Sequence, residues 1–135
     1  MKKIMLITGA SSGIGKSIAD KFYDEGWTVF AAARRLSSPS KKYSVKKKKN
    51  KFLPLRLDIT NKEEVYKKLS STFKKYGFPD IMILNAGTNN PNNEKILDLE
   101  EVNHIYKVNF FGTLNCVDAI LKNLNKLQDK GSRFY

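Results

Sequence analysis

The chain has 135 residues, a net charge of +12, one cysteine and one histidine. That length and a hydrophobic content of 41% suit one domain with a real core. An internal disulfide, a multi-histidine metal centre and a cysteine-cluster zinc site are excluded, because Cys116 has no second cysteine and His104 is the only histidine.

The charge is concentrated. Lys41, Lys42, Lys46, Lys47, Lys48, Lys49 and Lys51 supply more than half of it. One such segment, with Tyr43 as its only interleaved aromatic, argues against nucleic acid as the partner. Lys2 and Lys3 precede only a short apolar run, Ile4-Met5-Leu6-Ile7. A secretory core needs roughly seven to fifteen apolar residues and a membrane helix about 20. A cytoplasmic protein with no membrane partner is expected.

Residues 3–8 read as a strand that is apolar on both faces, as in a buried parallel sheet. Ile14, Ile18 and Phe22 then recur at spacing four and predict the inward stripe of an amphipathic helix. Gly26 follows it, where a left-handed residue ends a helix. Residues 27–33 form a second strand, closed by Arg34-Arg35. Between 36 and 51, Ser37, Ser38, Pro39, Ser40 and the lysine run predict a short frayed helix or a mobile loop. Residues 52–58 give a third strand, placed at a sheet edge by Pro54.

Thr60 with Glu63 reads as a capping box for a helix whose buried stripe is Val65, Leu69, Phe73 and Tyr76. Gly77 and Pro79 stop it. Ile81-Met82-Ile83-Leu84 is a wholly apolar fourth strand, and an Asn-rich loop follows at 88–95. Asp98, with Glu101, caps a long last helix. Its inward face runs through Val102, Ile105, Val108 or Asn109, Gly112, Cys116, Ile120 and Leu124. Residues 99–128 span about 45 Å at the helical rise. Cys116 reads as a small core residue. Gly131 ends the helix, and residues 133–135 open a fifth strand. The alternation of strand and helix predicts an α/β fold, a Rossmann-like doubly wound parallel sheet truncated in or after strand five.

The stretch Thr8-Gly9-Ala10-Ser11-Ser12-Gly13-Ile14-Gly15 joins the first strand to the first helix. Such a turn aims backbone N–H groups and the positive end of a helix dipole at one point, and a phosphate suits that point. Gly9 permits the turn, Gly13 lets backbone approach a pyrophosphate, and Gly15 lets helix and strand pack closely. Thr8, Ser11 and Ser12 add hydroxyls. The end of the second strand then selects the cofactor. A site for NAD(H) places an acid there to accept from the ribose 2′-OH. This chain has Ala33-Arg34-Arg35, and guanidinium groups suit a 2′-phosphate, so NADP(H) is favoured over NAD(H).

Four motifs in order carry a resemblance over essentially the whole chain. They are Thr8-Gly9-x3-Gly13-x-Gly15, Asp58 after strand three, Asn85-Ala86-Gly87 after strand four, and Asn109 in the long helix. The sequence resembles the cofactor-binding half of the classical short-chain dehydrogenase/reductase family. The resemblance implies that the glycine turn, with Ile14, holds the pyrophosphate. It implies that Asp58 and the backbone of Ile59 contact the adenine, and that Asn85, Ala86 and Gly87 line the adenosine side. It gives Asn109 a supporting catalytic role, bending its helix and aiding a water-mediated proton relay. Leu84 stands where the family often has Asn, and the segment after Arg35 is shorter and richer in lysine than usual.

The family's catalytic serine and its Tyr-x-x-x-Lys pair have no counterparts before Tyr135. The resemblance therefore implies a parent oxidoreductase acting on a small carbonyl or alcohol, with binding but no turnover expected from residues 1–135. A catalytically inactive dinucleotide-binding or interaction module is the alternative, separated by an assay of carbonyl-dependent NADPH oxidation. Apolar surface on the helix from Leu99 is expected to be exposed, and the family packs that helix against its copy. A homo-oligomer is expected.

Overall fold

A computed structural model of the chain describes residues 2–35, 43, 49–89 and 97–129. Four strands are described: β1 (Ile4–Thr8), β2 (Thr28–Ala33), β3 (Phe52–Arg56) and β4 (Ile81–Leu84). They form one parallel sheet in the order β3-β2-β1-β4. The first three strands step across the sheet in one direction, and β4 returns to the other side of β1. That reversal between β1 and β4 is the switch point at which sheets of this kind bind ligands.

The helices are α1 (Gly13–Asp24), α2 (Lys62–Tyr76), α3 (Leu99–Tyr106) and α4 (Thr113–Gln128), with a π-turn (Lys107–Gly112) joining the last two. Every residue of β1 and β2 is buried because both faces of the sheet are covered. Met5, Ile7, Val29 and Ala31 meet Ala19 and Tyr23 of α1 on one face. Ile4, Leu6, Phe30 and Ala32 meet Val65, Leu69 and Phe73 of α2 and Cys116, Ala119 and Ile120 of α4 on the other. Side chains alternate strictly between the two cores, as the period of a strand requires. The doubly wound α/β fold expected from the sequence is the fold observed. Pro54 lies on the edge strand β3, opposite Ala31, as expected. Burial holds Cys116 as a neutral thiol, its pKa pushed up to about 11.

Several local expectations need correction. The inward face of α1 is Gly15, Ala19 and Tyr23, one residue on from the predicted stripe, and Ile14 is 73% exposed. Backbone approach at Gly15 sets the rotation of this helix, and the larger apolar side chains adapt. Ile18 and Phe22 pack only at its flank. The cap of α2 is Asn61, whose side chain accepts a hydrogen bond from the Glu64 N–H at 3.0 Å. Thr60 does not cap it, because its hydroxyl donates to Asp58. Asn61→Ala should lower stability by about 1 kcal/mol in urea unfolding. A variant as stable as the parent would contradict the cap.

Asp98 caps α3 as expected, accepting from the Glu100 and Glu101 N–H groups. The long helix is interrupted at Lys107–Gly112 by the π-turn, which contains Asn109, the residue at which the resemblance implied a bend. Val108 is half-buried against the core and Asn109 is exposed, which settles the open position in the inward stripe. Gly26 follows α1 with φ +92°, the left-handed ending expected, and Gly77 ends α2 with φ +106°.

Most of segment 36–51 and the expected fifth strand at 133–135 lie outside the described residues. Tyr43 is described. It stacks on Phe52 with ring centroids 3.8 Å apart and donates its hydroxyl to Asp20.

Candidate functional site

A cleft of about 320 Å³ opens at the carboxyl ends of β1, β2 and β3 and reaches the segment after β4. Thr8, Gly9 and Ser11 form one wall, Ala32, Ala33, Arg34 and Arg35 a second, and Leu57, Asp58, Ile59 and Thr60 a third. Ala86, Gly87, Thr88 and Val108 close it.

The glycine turn is locked to the end of β4. Asn85 Nδ2 donates to the carbonyls of Thr8 at 3.2 Å and Gly9 at 3.5 Å. The Ala86 N–H donates to Thr8 Oγ1 at 3.0 Å. Gly9 takes φ +71°, and a Cβ there would lie 2.8 Å from Ala86 Cα. A Cβ on Gly15 would lie 2.2 Å from the Gly9 carbonyl oxygen and 2.5 Å from Asn85 Nδ2. Gly15 thus brings α1 onto the turn.

Gly13 differs: it takes φ +54°, and a Cβ there would meet nothing within 4 Å. Ser12, at the N-cap of α1, is extended and makes no side-chain cap, and the first turn holds no acid. α2 and α3 each have a side-chain cap and two acids in the first turn. Among these three helices, α1 alone has neither a cap from its N-cap side chain nor an acid in its first turn, and a helix N-terminus of that kind suits an anion.

Charge at the cleft is mostly positive. Arg34 and Arg35 are exposed directly after buried Ala33. Among the described residues, Asp58 is the one carboxylate lining the cleft. Its Oδ1 accepts from Thr60 Oγ1 at 2.7 Å and from the Thr60 N–H at 2.9 Å. These bonds, with Arg34 and Lys107 nearby, hold its carboxyl below the usual carboxylate value. A depressed folded pKa contributes stability that is complete above the unfolded value and disappears as pH falls through the folded one. Asp58→Asn should therefore lose less stability than the parent between about pH 6 and about pH 3. Equal losses in urea midpoints over that interval would contradict this.

Asn109 lies on the π-turn with both arms committed to one residue. Its Oδ1 accepts from the Thr88 N–H at 2.7 Å, and its Nδ2 donates to the Thr88 carbonyl at 2.9 Å. This clip fixes the backbone beside Gly87.

Of the residues named from the sequence, the structure brings Thr8, Gly9, Ser11, Arg34, Arg35, Asp58, Ile59, Ala86 and Gly87 to the cleft lining. Ser12, Gly13, Ile14 and Gly15 lie beside it at the start of α1, and Asn85 and Asn109 stand behind it. Ala32, Ala33, Leu57, Thr60, Thr88 and Val108 also line it and were not named as site residues. Ala32, Ala33, Leu57, Thr60 and Thr88 stand at or beside strand ends and motif residues on the carboxyl edge of the sheet, and Val108 reaches the cleft from the π-turn.

The family model for short chain dehydrogenases matches residues 3–132. The chain belongs to the short-chain dehydrogenase family. An oxidoreductase of Saccharomyces cerevisiae is 33% identical over 129 residues, which is 93% of this chain and 50% of that protein. The structure of an alcohol dehydrogenase from Thermococcus sibiricus, complexed with 5-hydroxy-NADP, aligns with a TM-score of 0.79 and 26% identity, covering 93% of this chain and 55% of its own. A variant of ElxO with NADPH bound aligns at 0.77 and 27%, covering 94% and 52%. The short-chain dehydrogenase chain described here spans about half the length of the curated relatives it matches.

Proposed function

We propose that this chain forms the nucleotide-binding part of an NADP(H)-dependent oxidoreductase that moves hydride between the nicotinamide and a small carbonyl or alcohol. The observation that carries the reading is the pair Arg34-Arg35, with no acid, at the end of β2 beside the uncapped start of α1.

The residues fit the dinucleotide. Open space above Gly13 and the uncapped N–H groups of α1 suit a pyrophosphate. Arg34 and Arg35 suit a 2′-phosphate. Asp58, held ionised, accepts from an amino group on the base, and Ala86 and Gly87 offer a flat wall to the adenosine. When bound, the cofactor supplies or accepts the hydride. The chain's own residues bind and orient it, and Asn109 keeps the wall at Thr88 in place for a proton relay.

The reading extends to assembly and location. Tyr106, Phe110, Phe111, Leu114 and Leu121 are exposed along α3, the π-turn and α4. A second copy of the chain covers them in the proposed homo-oligomer. No described helix is long and apolar enough to cross a membrane, and the proposal places the protein in the cytoplasm.

Thermal unfolding with NADPH tests the proposal. Ligand at about one hundred times its dissociation constant adds about 2.7 kcal/mol to stability. A melting curve unmoved by millimolar NADPH would overturn the reading.

A further inference from the structure

The loop that follows β3 is held from behind by α4. Asn115 Nδ2 donates to the Ile59 carbonyl at 2.9 Å. Ile59 is only 7% exposed, and a Cβ on Gly112 would lie 2.7 Å from its Cγ1 and Cδ1. The π-turn and α4 together therefore grip both the side chain and the backbone of Ile59.

The gripped carbonyl shares a peptide plane with the Thr60 N–H. In a planar trans peptide these two groups point in opposite directions. On its far side the Thr60 N–H donates to Asp58 Oδ1. One line of hydrogen bonds thus runs from Asn115, through the 59–60 peptide, to the only carboxylate among the described residues of the cleft lining. Bonds aligned in this way polarise one another. Turning the peptide would turn the carboxylate, and Asp58 Oδ2, which takes no bond from Thr60, would lose its fixed angle.

We infer that Asn115 is a positioning residue for the base-recognising end of the cleft, aiming Asp58 at an amino group of the bound nucleotide. The inference rests on the dinucleotide reading above. It places a recognition determinant on α4, outside the cleft lining and distant from Asp58 in the chain. Asn115 touches no part of the ligand and acts through Ile59, Thr60 and Asp58.

The test uses mononucleotides that differ by one group. Adenosine 5′-monophosphate presents an amino group, and inosine 5′-monophosphate lacks it. Asn115→Leu and Asn115→Asp both remove the donor and nearly keep the side-chain shape. By calorimetric titration, each should weaken the adenosine nucleotide about fivefold, the scale of one lost hydrogen bond, and leave the inosine nucleotide nearly unchanged. The preference for adenosine 2′,5′-bisphosphate over the 5′-monophosphate should persist, because Arg34 and Arg35 are untouched. Equal weakening of the adenosine and inosine nucleotides, or no weakening of either, would overturn the inference alone. A parent chain that binds none of the three would overturn the dinucleotide reading as well. If one variant does not fold, the other carries the comparison. If neither folds, Asn115 is essential to the fold and the positioning role is rejected.

Discussion

Gly15→Ala should lower stability by about 3 kcal/mol, the upper part of the range for overpacking a tight interior. For a chain of this size that corresponds to a fall of about 10 °C in melting temperature. The added Cβ would lie 2.2 Å from the Gly9 carbonyl oxygen, and backbone cannot swing aside as a flexible side chain can. The Gly9 carbonyl is itself held by Asn85, so relief at one contact breaks another. Gly13→Ala is the informative control. Its φ of +54° makes alanine strained, but nothing lies within 4 Å of the new atom. Left-handed strain alone costs about 1–2 kcal/mol. The two variants should therefore separate in melting temperature, with Gly15→Ala lower. If they melt together, close approach does not explain why a glycine stands at position 15.

Replacing Arg34 and Arg35 together by glutamine should weaken NADPH about 30- to 100-fold and change NADH by less than about threefold. A hydrogen bond to a charged group contributes about 1.5–3 kcal/mol, and solvent screening of two exposed arginines brings the pair somewhat below the low end of the summed effect. The effect should shrink as salt is added, because an exposed phosphate–guanidinium contact is screened. Both side chains project to solvent from the end of β2, so the fold should be unaffected. Equal loss of NADPH and NADH would assign these arginines to a part of the cofactor common to both.

Much of this was legible in the sequence because the signals were local. β1 up to Ile7 and β4 are runs of apolar residues with no polar interruption, and β2 is apolar after Thr28. Thr8, Gly9, Asp58, Ala86 and Gly87 follow directly at the strand ends, so finding the strands found most of the cleft. The errors arise where distant backbone decides. Ile14, Ile18 and Phe22 have the apolar periodicity of an inward face, but the approach of Gly15 to Gly9 rotates the helix by one residue. Thr60 has the right residue type for a cap. Asp58 takes its hydroxyl, and Asn61 caps instead. Periodicity left only a trace of the π-turn, the choice between Val108 and Asn109 in the inward stripe, while the resemblance implied a bend at Asn109. Thr88 and Asn115 gave no local signal, since their roles come from bonds spanning 21 and 56 positions along the chain.

The central claim is that the carboxyl edge of this sheet is built for a dinucleotide bearing a 2′-phosphate. Titration of the unmodified chain with NADPH and with NADH, at about 0.1 M salt and followed by nicotinamide fluorescence, tests it most directly. NADPH should bind at least about tenfold more tightly, the equivalent of roughly 1.4 kcal/mol. Equal affinities, or tighter binding of NADH, would contradict it.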